Sequence, residues 1–164
     1  MKLLLETTVK SKSEMHDLGT QLAKLFSISD VITFDGDLGV GKTFLCKSII
    51  NYLTKINEVV SPTFNIVQTY PLQKDKEIWH CDFYRINNFE EVEEIGVFED
   101  FKNKNILLEW PKFKFELSEY HPLNINIEII RNNQSNLSEL RKISLSGSKK
   151  WDNKIKNLHN FLAL

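Results

Sequence analysis

Apolar residues recur along this chain with two periods, and the two alternate along its length. Leu3 to Thr8 reads as a first strand. Ser11 and Glu14 have the spacing of a capping box and open a helix with a stripe at Met15, Leu18, Leu22, Leu25 and Phe26. The β-branched and aromatic run Val31–Phe34 follows. A second helical stripe, Leu45, Ile49, Ile50 and Leu53, lies within Thr43–Leu53. Ser61-Pro62 breaks the chain before strand-like stretches at Phe64–Tyr70 and Glu77–Asp82. Glu90–Glu94 predicts an acidic helix, and Ile106-Leu107-Leu108 is a compact run of the kind that fills a buried parallel strand. Beyond it Leu123, Ile125, Ile127 and Ile129 alternate with polar residues, as do Ile143 and Leu145. The pair predicts an antiparallel hairpin across the Asn-rich stretch Asn132–Asn136. Trp151, Ile155, Leu158 and Leu162 close the pattern with a helical stripe.

Strand and helix therefore alternate in the α/β manner, with no internal repeat and no linker that would divide the chain. The expectation is a single domain over residues 1–164. It would have three layers, α/β/α, with a mostly parallel central sheet and an antiparallel C-terminal hairpin.

One segment between these elements carries chemistry. Gly36-Asp37-Leu38-Gly39-Val40-Gly41-Lys42-Thr43 matches the phosphate-loop pattern G-x-x-x-x-G-K-[ST] at every fixed position. Its flanks match too, with a strand before it and a helix after it. That arrangement aims backbone N–H groups and the positive end of a helix dipole at one point, where a polyphosphate fits. Lys42 would reach the β- and γ-phosphates, and the Thr43 hydroxyl would bind a bridging magnesium ion. The fold expected is that of a phosphate-loop NTPase, with a nucleoside triphosphate and Mg²⁺ as its ligands.

Composition narrows the partners. The 21 basic and 22 acidic residues leave a net charge of −1, so no strong electrostatic footprint for nucleic acid is present. The two cysteines, Cys46 and Cys81, form no disulfide framework and have no metal-ligand spacing in sequence, which reads as free thiols in a reducing cytoplasm. Leu3-Leu4-Leu5 is too short for a signal sequence, and no apolar run approaches membrane-spanning length. A cytoplasmic protein without membrane contact is expected.

Hydrolysis of a triphosphate needs more than a cradle. It needs a carboxylate at a nearby strand end to hold the metal, and a group to orient the attacking water. Glu109, directly after Ile106–Leu108, stands where such a carboxylate belongs, although pattern alone also allows a solvated strand-end residue. Asp82, in His80-Cys81-Asp82-Phe83-Tyr84-Arg85, is open between that role and a cap or turn. Thr63 offers a hydroxyl where switch loops sense a γ-phosphate, or simply a local turn. His80 reads first as a satisfied core residue, Phe83 and Tyr84 as packing, and the acidic run as a solvated helix face or a partner contact.

The motifs also occur together and in order. The glycine loop, Ser61-Pro62-Thr63-Phe64, His80-x-Asp82-x-Tyr84-Arg85, Glu90-Glu91 with Glu94-Ile95-Gly96, and Leu108-Glu109-Trp110-Pro111 resemble the TsaE (YjeE) family across Leu18–Pro111. Members of that family are bacterial ATPases of tRNA threonylcarbamoyladenosine biosynthesis. The resemblance implies partners, a TsaD-like threonylcarbamoyl transferase and its TsaB-like paralogue, with tRNA met only indirectly. It implies that Thr43 and Glu109 hold Mg²⁺, that Thr63 sits in the switch loop, and that Asp82 is needed for hydrolysis, with Arg85 in the same motif. Trp110 and Lys112 would lie near the nucleotide, and the segment around Lys12 would close over the base. Phe44 departs from the family pattern, which has a second hydroxyl residue there to touch the α-phosphate; its backbone N–H remains available, at the loss of one neutral contact worth about 0.5–1.5 kcal/mol.

Three rival readings remain open at this level. A small-molecule or nucleotide kinase would use the same loop, but such kinases clamp the transferred group with several arginines. This chain has Arg85, Arg131 and Arg141, and only Arg85 lies in a motif. A GTPase switch would carry N-K-x-D and D-x-x-G segments, which are lacking, so adenine is the expected base. A nucleotide-dependent scaffold with negligible turnover has no distinguishing pattern.

Overall fold

The structure, a computed structural model, describes residues 1–130 and 140–162, the side chains at 157 and 159–162 excepted. The elements are β1 (Lys2–Val9), α1 (Lys12–Lys24), β2 (Val31–Asp35), α2 (Lys42–Thr54), β3 (Val67–Pro71), β4 (Glu77–Asp82), α3 (Phe89–Ile95), β5 (Lys104–Glu109), α4 (Lys114–Leu117), β6 (Leu123–Ile130), β7 (Leu140–Gly147) and α5 (Lys149–Leu162). Local chemistry starts the helices where the sequence marks them. Ser11 accepts a hydrogen bond from the Glu14 amide at 3.1 Å, and the Glu14 carboxylate accepts one from the Lys10 amide at 2.9 Å. Asn88 caps α3 in the same way, with Glu91 as donor at 3.0 Å.

All seven strands form one sheet in the order β1-β7-β6-β2-β5-β4-β3. Ladders between β6, β2, β5 and β4 are parallel, while β7 and β3 run against them. Because β1 pairs antiparallel with β7, it points the same way as the central four. The sheet is thus mostly parallel, and β6 and β7 form the antiparallel C-terminal pair, with Ile125 opposite Leu145 and Ile127 opposite Ile143. The turn expected at Asn132–Asn136 and the residue Arg131 lie outside the described residues, as does the side chain of Leu162.

Period-two alternation sorts the core onto the two faces of the sheet. Ile32 and Phe34 of β2 join Leu18 and Leu22 of α1, Leu45 and Ile49 of α2, and Trp151 and Ile155 of α5. Val31, one residue away, faces the opposite layer with Ile106, Leu108, Phe83, Val92 and Val97. Every residue of β5 is buried, as a strand covered on both sides requires. Helix α5 is fastened by polar contacts as well: Lys150 and Lys154 meet the fully buried Asp30 carboxylate at 2.7 and 2.5 Å. Among the described residues no helix is long and apolar enough to cross a membrane.

Strand β3 starts at Val67, later than the pattern predicts from Phe64. The Asn65 and Ile66 amides both donate to the Pro62 carbonyl, at 3.1 and 2.7 Å, and Ile66 has φ of 64°. Those bonds wind the Ser61–Ile66 segment into turns before the strand can begin. Helix α4 has four residues and too few positions for a stripe to be read.

The spacing of α1 and α2 depends on Gly19 in the middle of α1. A Cβ there would lie 2.5 Å from the Ser48 Cβ of α2, so the two helices touch backbone to side chain at this point. Gly19→Val should force them apart and cost about 1–3 kcal/mol, as overpacking does. Urea unfolding followed by circular dichroism measures this, and an unchanged midpoint would refute the close approach.

Candidate nucleotide-binding site

The loop Gly36–Gly41 leaves the end of β2 and enters α2 in a backbone shape that only glycine fits at its first position. Gly36 has φ of 131°, and a Cβ there would stand 2.3 Å from the Ile127 carbonyl oxygen of β6. At the other end Gly41 is the N-cap of α2, with φ of 113° and no side-chain cap. Helices α1 and α3 are both capped by their own side chains and carry acidic residues in the first turn; α2 has neither. Its leading amides and dipole are left for an external anion.

Lys42 is buried and folds back over the loop, donating to the Gly36 and Asp37 carbonyls at 2.6 and 2.8 Å. Its ammonium also stands 3.5 Å from the centroid of the Trp110 ring. Burial lowers the Lys42 pKa from its ordinary value, against the opposing charges of Glu109, Asp35, Asp82 and Asp37. Asp35 itself is pushed up by burial, but the Lys114 hydrogen bond, the Gly36 amide and the nearby lysine charges together hold it below the usual carboxylate range.

Parallel register brings the remaining groups to the same level. Phe34 pairs with Glu109, and Glu109 pairs with Asp82, so the carboxyl ends of β2, β5 and β4 lie side by side. Ligands of open α/β sheets bind in the crevice at such ends. The Thr43 hydroxyl donates to Glu109 Oε2 at 2.8 Å, and His80 Nε2 lies 2.8 Å from Glu109 Oε1. Glu109 is 2% exposed, which rules out the solvated strand-end reading. Asp82, also buried, accepts the Tyr84 amide at 2.9 Å, so it is a turn residue and a cleft carboxylate at once. Thr63 is exposed and shares a 2.8 Å hydroxyl contact with Ser61, and the Arg85 guanidinium carbon stands 5.3 Å from the Phe64 ring centroid.

A cleft of about 410 Å³ unites Lys42, Thr43, Thr63, Asp82, Arg85, Glu109 and Trp110, with Leu38, Gly39, Gly41 and Phe44 also on its wall. A larger cavity of about 680 Å³ lies across the loop, between Gly36, Asp37, Leu38 and Val40 on one side and Asn126–Ile129 on the other. Five predicted residues do not line the cleft: Gly36, Asp37 and Val40 face the second cavity, and Lys12 and Lys112 lie elsewhere. Lys12 is exposed at the start of α1. Lys112 turns its ammonium to the carbonyls of Tyr84 and Ile86, the latter at 3.0 Å.

The structure adds two groups that pattern reading did not assign. His80 supports Glu109, and a signal existed, since it precedes Asp82 by one period of the strand and so shares its face. Arg141 of β7 donates to the Val40 carbonyl at 2.8 Å, bracing the loop from a strand far along the chain. No local pattern marks it. The donor set at the cleft floor, a hydroxyl and two carboxylates, consists of hard oxygens and suits a small divalent cation. Cys46 and Cys81 are free and buried, and burial pushes both thiols up.

The family described as "Threonylcarbamoyl adenosine biosynthesis protein TsaE" matches residues 9–142. The tRNA threonylcarbamoyladenosine biosynthesis protein TsaE of Rickettsia conorii is 37% identical over 128 residues, covering 77% of this chain and 73% of the relative. Its namesake from Streptomyces coelicolor is 30% identical over 140 residues, covering 84% and 93%. The crystal structure of Bacillus subtilis YdiB superposes with a TM-score of 0.72 at 21% identity, over 98% of each chain, which is a likeness of fold.

The contact between Lys42 and Trp110 yields an optical test. A phosphate drawing the ammonium away must change the surroundings of the indole, whereas Trp79 and Trp151 lie away from the cleft. Addition of ATP should therefore shift the tryptophan emission, and Trp110→Phe should remove that shift. An undiminished shift in the variant would show that the signal arises elsewhere.

Proposed function

The chain belongs to the TsaE family of tRNA threonylcarbamoyladenosine biosynthesis, and from that premise we propose that it binds and hydrolyses ATP to support this tRNA modification. The observation that carries the proposal is the 2.8 Å bond from Thr43 to Glu109, which joins the phosphate loop to a strand-end carboxylate. A hydroxyl that gives its proton to a carboxylate turns its lone pairs outward, toward the place where a metal would sit. Thr43 and Glu109 would hold a magnesium ion, which when bound neutralises charge on the β- and γ-phosphates. Loop amides and the first turn of α2 hold the phosphate oxygens. Lys42 leaves the Gly36 and Asp37 carbonyls to reach them. Asp82 orients the attacking water, Thr63 lies where it would meet the γ-phosphate, and Arg85 faces the charge that develops during transfer.

Partners are proposed on the same premise: a TsaD-like transferase and a TsaB-like paralogue, with no direct grip on tRNA. The rim of the cleft supports a protein partner, because Leu38, Phe64 and Tyr84 are 88%, 80% and 59% exposed. A kinase reading gains nothing from the arginines described. Arg85 lines the cleft, while Arg141 braces the loop backbone.

Substitutions separate binding from chemistry. Lys42→Ala should weaken ATP binding tenfold or more, about 1.4 kcal/mol, and an unchanged affinity by calorimetry would sink the phosphate-loop reading. Asp82→Ala should leave affinity near that of the unaltered chain yet abolish hydrolysis, since its contribution arises in the transition state.

Turnover by the chain alone should be slow. Thr63 and Arg85 sit on exposed loop segments, and small misplacement of such groups costs rate heavily. A steady-state assay should show faster ATP hydrolysis when a TsaB–TsaD pair is added at saturation. Equal rates would point to a self-contained enzyme and revive the kinase alternative.

A further inference from the structure

His80 is the least expected residue on the cleft's inner wall. It belongs to β4, is fully buried, and points from the strand face that α2 covers toward Glu109, with Nε2 2.8 Å from Oε1. Its other ring nitrogen, Nδ1, is buried and has no hydrogen-bond partner among the described residues. An unpartnered buried nitrogen costs stability, so an apolar residue would suit packing alone better. A carboxylate oxygen can only accept, which makes Nε2 the protonated nitrogen and assigns the imidazole one task, donation to Glu109.

Glu109 is thereby gripped from both sides: Thr43 takes Oε2 and His80 takes Oε1, both at 2.8 Å. The two bonds fix the plane of the carboxyl group. Cys46 completes the local surroundings, its sulfur lying within 4.8 Å of the His80 and Glu109 ligand atoms. Burial and the neighbouring Glu109 charge push that thiol up, and the hydrogen bonds to Glu109 come from Thr43 and His80.

We propose that His80 is the positioning residue of this site, aiming the Glu109 carboxylate at the metal position beside Thr43 without touching nucleotide itself. This role rests on the nucleotide-binding reading above. Support of this kind, one step behind a ligand, commonly changes metal affinity or activity by about 10–100-fold when removed.

The test uses the full chain and calorimetric ATP titrations, once with Mg²⁺ and once in EDTA. For the unaltered protein Mg²⁺ should tighten binding. His80→Leu should lose about tenfold or more of that tightening, with the affinity in EDTA unchanged. His80→Gln, which keeps an N–H donor near the former Nε2, should recover most of it. Nitrogen NMR of the unaltered, nucleotide-free chain should find His80 protonated at Nε2 and not at Nδ1. That readout stands even if the leucine variant folds poorly. Equal losses with and without Mg²⁺, full tightening in His80→Leu, or an Nδ1-protonated ring would each overturn the proposal. Absence of ATP binding by the unaltered chain would instead overturn the nucleotide reading, while the NMR arm would still decide whether His80 grips Glu109.

Discussion

The site depends on the register of three parallel strands. Phe34, Glu109 and Asp82 lie level across β2, β5 and β4, so three chain segments far apart in sequence end at the same height. A slip of one residue in β5 would turn Glu109 to the opposite face. Register is held by burial: β5 is covered on both sides, and Ile106 and Leu108 face one layer while Leu107 faces the other. The apolar core and the polar site are thus set by one alternation. A residue such as Ile106 acts on the chemistry without coming near it.

The same arrangement carries an electrostatic cost. Asp35, Asp37, Asp82 and Glu109 all bear on the Lys42 ammonium. That ammonium is satisfied internally, by two carbonyls and an indole face. On the proposed function, nucleotide binding would be an exchange of partners for Lys42, with a net gain smaller than the gross strength of a lysine–phosphate contact. The carboxylates on the cleft wall would repel a bare triphosphate, which makes a divalent cation an expected part of the complex.

Much of this was legible in the sequence. Glycine spacing identified the loop because its conformation admits few other residues, as Gly36 against Ile127 illustrates. Periodicity located most of the strands and helices, since each buries one face or two. The start of β3 was not legible, because hydrogen bonds to the Pro62 carbonyl compete there with strand pairing. Arg141 could not be assigned to the loop: its contact with Val40 spans a separation in sequence that only the folded sheet closes. His80 lay between these cases, with its strand position readable and its partner not.

Strand order also constrains when the molecule can be finished. β1 pairs with β7 alone, and β7 separates it from β6. During synthesis the first strand therefore has no place in the sheet until the last has left the ribosome. The β2, β5, β4 and β3 ladders can assemble earlier, because all their strands precede β6. Such a long-range closure slows folding and leaves strand edges exposed while the chain is incomplete. Arg141 travels with β7, so the phosphate loop gains that brace only once β7 has joined the sheet. A nascent chain would hold the fingerprint of the site well before it held the braced loop.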